Sequence, residues 1–244
     1  MKVVNVIPLQ KGAFIEDLTY FTAKDVLVGN IVSVPLRNKN ILGLVISIEE
    51  VSSSKSGIKN MSFDLKKVIE VKEHSVWKNE FLKATLLCAK YFASRKNDAV
   101  TTMLPAILRE KYDTISNFKN ETLIYLDSKT NTSNIKNEIK SEKLLLQLPL
   151  IERISFYKTL IRESFALKKS IFLVLPNQQD IKVFFDLLSK GIENFSFAIS
   201  SAQGENKIIE LYKDIIGLAH PILVICNTQF LSILRHDIGN IILE

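Results

Sequence analysis

Short runs of β-branched and aliphatic residues dominate the first fifty positions. Val3, Asn5 and Ile7 mark one such stretch, Ile31–Leu36 a second and Ile41–Ile48 a third, all in the residue types that strands favour. Only four polar residues, Arg37-Asn38-Lys39-Asn40, separate the last two, which predicts a hairpin. Gly29-Asn30 marks the turn that enters it. Val51–Gly57 reads as a polar loop and Lys66–Val71 as another short strand. From Val76 to Tyr91 the period changes: Trp77, Phe81, Leu82, Leu86 and Ala89 recur at helical spacing. Leu104-Pro105 breaks any helix that follows.

Residues 109–142 are mostly polar, with a single apolar island at Leu123-Ile124-Tyr125-Leu126, and read as a linker. Beyond them strand and helix alternate. Ile171–Leu175, Phe195–Ile199, Pro221–Cys226 and Ile238–Leu243 are strand-like, and Gln178–Leu188 and Asn206–Ile216 are helix-like. Continuous apolar strands with helices between them predict a parallel sheet covered on both faces. The expected fold class is α/β overall. Residues 1–108 would form a small β-rich, barrel-like domain with helices, and residues 143–244 a parallel α/β domain. No internal repeat is evident.

Composition narrows the function classes. The chain has 244 residues, 47% hydrophobic and 24% charged, which excludes wholesale disorder and allows a core without staples. Its longest apolar runs are strand-sized, far short of the roughly 20 residues that span a bilayer. Met1–Pro8 is too short for a signal peptide, so the expectation is a cytoplasmic chain with no membrane partner. Cys88 and Cys226 lie too far apart for a redox or zinc motif and suit a reducing compartment. His74, His220 and His236 lack a second ligand at metal spacing, so no metal site is expected. No catalytic set is evident.

Charge sharpens this picture. The formal net charge of +6 is not evenly spread. Residues 1–112 hold 17 Lys+Arg against 11 Asp+Glu, whereas residues 113–244 hold 15 of each. A basic half joined to a neutral half suggests that the first meets a polyanion, although the same excess also serves as ordinary solubilising lysine.

The phrase Val28-Gly29-Asn30-Ile31-Val32-Ser33-Val34-Pro35-Leu36, a basic turn, and then Gly43-Leu44-Val45-Ile46 resembles a specific family. It is similar to the N-terminal DNA-binding domain of primosomal protein N′, the PriA replication-restart helicase. Ile7-Pro8-Leu9, Asp64–Val71, Tyr91 and Met103–Arg109 extend the likeness over about residues 1–110. The resemblance implies a pocket for the free 3′ end of a DNA strand. Carried over by position, its residues are Leu18, Thr19, Tyr20, Gly29 and Lys66, with Arg37, Lys39 and Lys67 as further DNA contacts. Tyr20, Gly29 and Lys66 keep the family's residue types. Leu18 replaces an aromatic, forfeiting roughly 1–3 kcal/mol of base stacking, and Thr19 replaces a carboxylate. Without the resemblance, Tyr20 is a plain strand aromatic and Lys66 a solvated lysine.

The second half resembles the family's first helicase lobe, a P-loop NTPase domain, in degenerate form. Glu152–Thr159 takes the place of Gly-x-x-x-x-Gly-Lys-Thr. Lys158 and Thr159 remain, but Glu152 and Tyr157 replace both glycines, whose backbone N–H groups would surround the phosphates. Glu244 stands at the magnesium-binding position of the Walker B strand. ATP and magnesium belong to the family and are expected to be lost here, and the family's zinc-binding cysteines have no counterpart. The chain is then either a piece of a longer helicase or a shortened relative. The expected function is DNA binding in replication restart, at ends or forks, without ATP-driven unwinding. The expected partners are DNA and replisome or single-strand-binding proteins. The alternative is a replisome protein-interaction module whose DNA pocket has decayed.

Overall fold

The computed structural model describes residues 1–9, 17–50, 65–72, 79–116 and 142–244. The loop Val51–Gly57, Trp77 and the island 123–126 lie outside the described residues. Two compact units are built mainly from Met1–Ser116 and from the residues after it.

The first unit is a curled six-stranded sheet. Its strands are β1 (Lys2–Pro8), β2 (Leu18–Thr22), β3 (Ile31–Leu36), β4 (Lys39–Glu50), β5 (Lys66–Lys67) and β6 (Glu70–Val71), in the order β5-β2-β1-β4-β3-β6. The single stretch 66–72 serves both edges. Tyr20 pairs with Lys66 on β2, while Val32 pairs with Val71 on β3. Between those pairs Val68 N–H donates to the Phe21 carbonyl and Ile69 N–H to that of Ser33. The sheet must therefore curl until β2 and β3 can share one segment, which gives the expected barrel-like form. Where one strand was expected at Lys66–Val71, the backbone makes two short ones, because it changes partner midway.

The inside is lined by small β-branched side chains: Val4, Val6, Val26, Val32, Val34, Val45 and Val68 pack around Tyr20. Valine suits a narrow barrel because it fills the pleat with one preferred rotamer. The hairpin turn is tighter than four residues. Leu36 pairs with Lys39, leaving Arg37 and Asn38 at the tip, and Arg37 adopts φ +54°. Gly43 is required where β4 crosses β1, near the bulge that Ile46 makes in β4 opposite Asn5/Val6, because a Cβ there would lie 2.2 Å from Val6 Cγ1.

Among the described residues four helices follow: α1 (Asn79–Tyr91), α2 (Lys96–Met103), α3 (Ala106–Glu110) and α4 (Tyr112–Ser116). The break between α2 and α3 falls at Leu104-Pro105, as its sequence predicts. α2 packs on β1, whose Val3, Val4, Val6 and Ile7 are all buried, and Arg109 of α3 donates to the Leu9 carbonyl at 3.1 Å. The last residues of α3 and all of α4 occupy the start of the stretch 109–142 read as linker, with Arg109, Tyr112 and Ile115 buried.

The second unit is a four-stranded parallel sheet in the order β10-β7-β9-β8. Its strands are β7 (Ser170–Val174), β8 (Ser196–Ile199), β9 (Leu223–Cys226) and β10 (Ile238–Leu243), with helices α5 (Leu150–Ala166), α6 (Gln178–Leu188) and α7 (Glu205–Gly217). Central β7 and β9 are buried at every position, as continuous apolar runs require, whereas edge strand β10 alternates between half-buried and exposed. Among the described residues no helix is long and apolar enough to cross a membrane.

Candidate nucleic-acid interface

Strand alternation splits the expected 3′-end residues between two faces. Tyr20 points into the barrel, only 3% exposed, and its hydroxyl donates to the Pro35 carbonyl at 3.0 Å. Burial pushes that phenol above its ordinary pKa. Tyr20 is thus a core aromatic in this structure, with its ring turned away from any base. Leu18, two residues earlier on the same face, is half-buried and packs on the same core. Thr19 faces the other way. Its hydroxyl donates to Asn5 Oδ1 at 3.0 Å, and Asn5 Nδ2 donates to Ser47 Oγ at 2.9 Å, forming a polar ladder across three strands. Gly29 is buried in the turn before β3 at φ +94°, where only glycine is unstrained, and its N–H donates to the Val45 carbonyl.

The basic candidates are brought together. Lys66 is the register partner of Tyr20, and the Tyr20 hydroxyl reaches Pro35, two residues before the hairpin tip. β3 also packs against β5. Arg37 and Lys39 at the tip therefore lie at the same end of the barrel as Lys66 and Lys67. All four are exposed, and none has an ion-pair partner among the described residues. Asp17, the acidic group leading into β2, is held by Lys96 at 2.8 Å. This end of the barrel thus carries four cations without an ion-pair partner among the described residues. Asp17 was absent from the sequence reading, although it directly precedes Leu18.

Residues 9–105 match the family of the PriA 3′ DNA-binding domain (3′BD). The 3′BD match covers strands β2 to β6 and helices α1 and α2; it begins just after β1 and ends before the parallel α/β unit. No curated protein matches the chain. The curled sheet carries a second basic feature that sequence spacing hides. A groove of about 640 Å³ at the other end of the barrel is lined by Lys2, Lys24, Asp25, Asn30 and Lys72, among others. Here Lys2 pairs with Asp25 at 3.1 Å and Lys72 with Glu70 at 2.9 Å, so most of its charge is offset. Among the described residues the Arg37–Lys67 end of the barrel thus carries more positive charge without an ion-pair partner than this groove does.

In the second unit, Glu152–Thr159 lies inside helix α5, not on a loop before one. From Arg153 N–H, which donates to the Pro149 carbonyl at 3.0 Å, the helical N–H groups bond to carbonyls four residues back, so of this stretch only the first-turn Glu152 N–H is left over and no loop of donors surrounds a phosphate. Glu152 and Thr159 are exposed, Lys158 is half-buried, and Thr159 Oγ donates to the Ser155 carbonyl. Tyr157 and Glu244 do meet: the Tyr157 hydroxyl donates to Glu244 Oε2 at 2.6 Å, and Arg153 Nη2 lies 3.1 Å from Oε1. Burial, then the bond to Glu244, push the Tyr157 phenol up to about 12. Arg153 was not foreseen; its place one helical turn before Tyr157 was the available signal. Among the described residues no group of three or more His, Cys, Asp or Glu could hold a metal ion.

Proposed function

We propose that this protein binds DNA through the Arg37–Lys39–Lys66–Lys67 end of its barrel, engaging 3′ ends or forks in replication restart. The observation that carries this reading is the gathering of four unpaired cations on a region that matches the PriA 3′BD family. Phosphate contacts give affinity and Leu18 at the barrel mouth offers an apolar wall. With Thr19 committed to Asn5 and Tyr20 buried, end selectivity is modest.

We further propose that the parallel α/β unit, a helicase-lobe-like scaffold, performs no ATP-driven unwinding of its own. Supporting this, Glu152–Thr159 is helical, and Glu244, at the magnesium-binding position of the resemblance, is engaged by Tyr157 and Arg153. ATP with magnesium is expected to leave the thermal midpoint unchanged; a clear upward shift would overturn this part.

The decisive measurement is binding to primed forks and to blunt duplex over a salt series. Affinity should fall linearly with the logarithm of salt, and Lys66→Ala should lower the slope by about one. An affinity indifferent to salt would sink the DNA reading. A second reading, a protein-interaction module with a decayed pocket, is favoured by the burial of Tyr20 and by Thr19's bond to Asn5. Equal binding of 3′-hydroxyl and 3′-phosphate ends, with weak affinity for both, would support it.

A further inference from the structure

Helix α1 ends on two aromatic rings that solvent reaches almost freely. Tyr91 is 83% exposed and Phe92 73%, with ring centroids 4.9 Å apart and planes at 87°. Large aromatics normally bury their area, so an adjacent exposed pair is unusual. They are also held in place. Ala93 takes φ +49°, its N–H donates to the Lys90 carbonyl, and the Ser94 N–H donates to the Ala89 carbonyl. Those two bonds are the paired closure of a left-handed helix cap, with Phe92 at the capping position and Tyr91 in the last helical residue. The rings therefore project from a fixed turn.

Their surroundings are basic. Lys83, Leu87, Lys90 and Tyr91 fall at helical spacing on one exposed face of α1. Lys83 and Lys90 have no ion-pair partner among the described residues, and the one acid of the helix, Glu80, is near its opposite end. Lys83 lies about 12 Å along the helix from Tyr91. An exposed ring face beside spaced cations has the chemistry that binds unpaired bases: stacking is tolerant of sequence, and the cations take the phosphates.

We propose that Tyr91 and Phe92, with Lys83 and Lys90, form a stacking platform for a single-stranded DNA segment, separate from the basic end of the barrel. This rests on the DNA-binding reading and adds a second contact to it. An unpaired strand beside a junction would lay a base against the rings while the barrel end holds the phosphates of another segment.

The test compares an oligodeoxythymidylate strand with an abasic strand of the same length, using the full chain. The native protein should bind the thymidylate strand more tightly, by roughly 5- to 150-fold for one stacked base. The Tyr91→Ala/Phe92→Ala variant should lose that difference and bind both strands alike with an unchanged salt slope. Tyr91→Trp/Phe92→Trp should restore it. Both rings being exposed, the alanine variant should keep the native melting temperature, and the tryptophan variant guards against a folding artefact. If native protein binds both strands equally, or if the alanine variant keeps the preference, the inference is overturned and the rings face a protein instead. In that case the response of duplex and fork binding to Lys66→Ala remains, so the DNA-binding reading stands or falls separately.

Discussion

Ala93 and Lys168 occupy left-handed backbone at φ +49° and +57°, at the ends of α1 and α5. The Lys168 turn repeats the closure seen at Ala93: Lys169 N–H reaches the Ser164 carbonyl and Lys168 N–H that of Phe165. A side chain in this conformation costs roughly 1–2 kcal/mol, part of which glycine returns through its looser unfolded chain. Ala93→Gly and Lys168→Gly should each raise stability by about 1 kcal/mol, read as a higher urea midpoint at constant slope. A lower midpoint at either site would show that the strain is absent. Tyr157 gives a second residue-scale expectation. Its phenol is raised in the folded chain, so the proton is held more tightly there than in the unfolded chain. That contribution is fully present below pH 10 and is lost as pH rises through about 12. Tyrosinate absorbance should therefore show a phenol titrating near 12, and Tyr157→Phe should remove one phenol from the late part of the curve, where the buried Tyr20 is also raised.

Elements set which residues meet. Lys66–Val71 was read correctly as strand-forming, yet a local pattern carries no sign that one segment will close the sheet by pairing first with β2 and then with β3. The same closure brings Arg37 and Lys66 to one end, so each could be named from sequence while their juxtaposition could not. Strands β7, β9 and β10 and helix α6 were legible because their apolar runs are unbroken or strictly periodic. Helices α2 and α3 were not. They bury Asn97, Thr101 and Arg109, polar residues that disguise the inward face. Tyr20 misled for the opposite reason: its residue type matches the resemblance, but alternation turns it inward. Gly43 tests the barrel's packing at this scale. Gly43→Ala would drive a methyl into Val6 close to the β4 bulge, and should cost about 1–3 kcal/mol in chemical denaturation. An unchanged midpoint would mean that the bulge can relax freely.

At the scale of the whole molecule, the charge divides as the units do. Residues 1–112 carry 17 basic and 11 acidic side chains, and residues 113–244 carry 15 of each. Net charge does not decide a fold, but it decides where a polyanion is drawn. In the first unit the excess is also local, since Lys2, Lys72 and Lys96 are tied to acids while Arg37, Lys39, Lys66 and Lys67 are not. Counterions released on binding duplex DNA should come from that end, Lys83 and Lys90 serving the unpaired strand. Replacing Lys39 and Lys67 together by glutamine in the full chain should lower the salt slope by about two. Replacing Lys182 and Lys190, exposed on the neutral unit, should leave it unchanged although the net charge falls equally. Both variants lose two positive charges, so a slope that followed total charge would drop in each. A drop confined to the first pair would place the phosphate contacts on the barrel; an equal drop in both would mean that attraction is diffuse and that the four clustered cations have no special role.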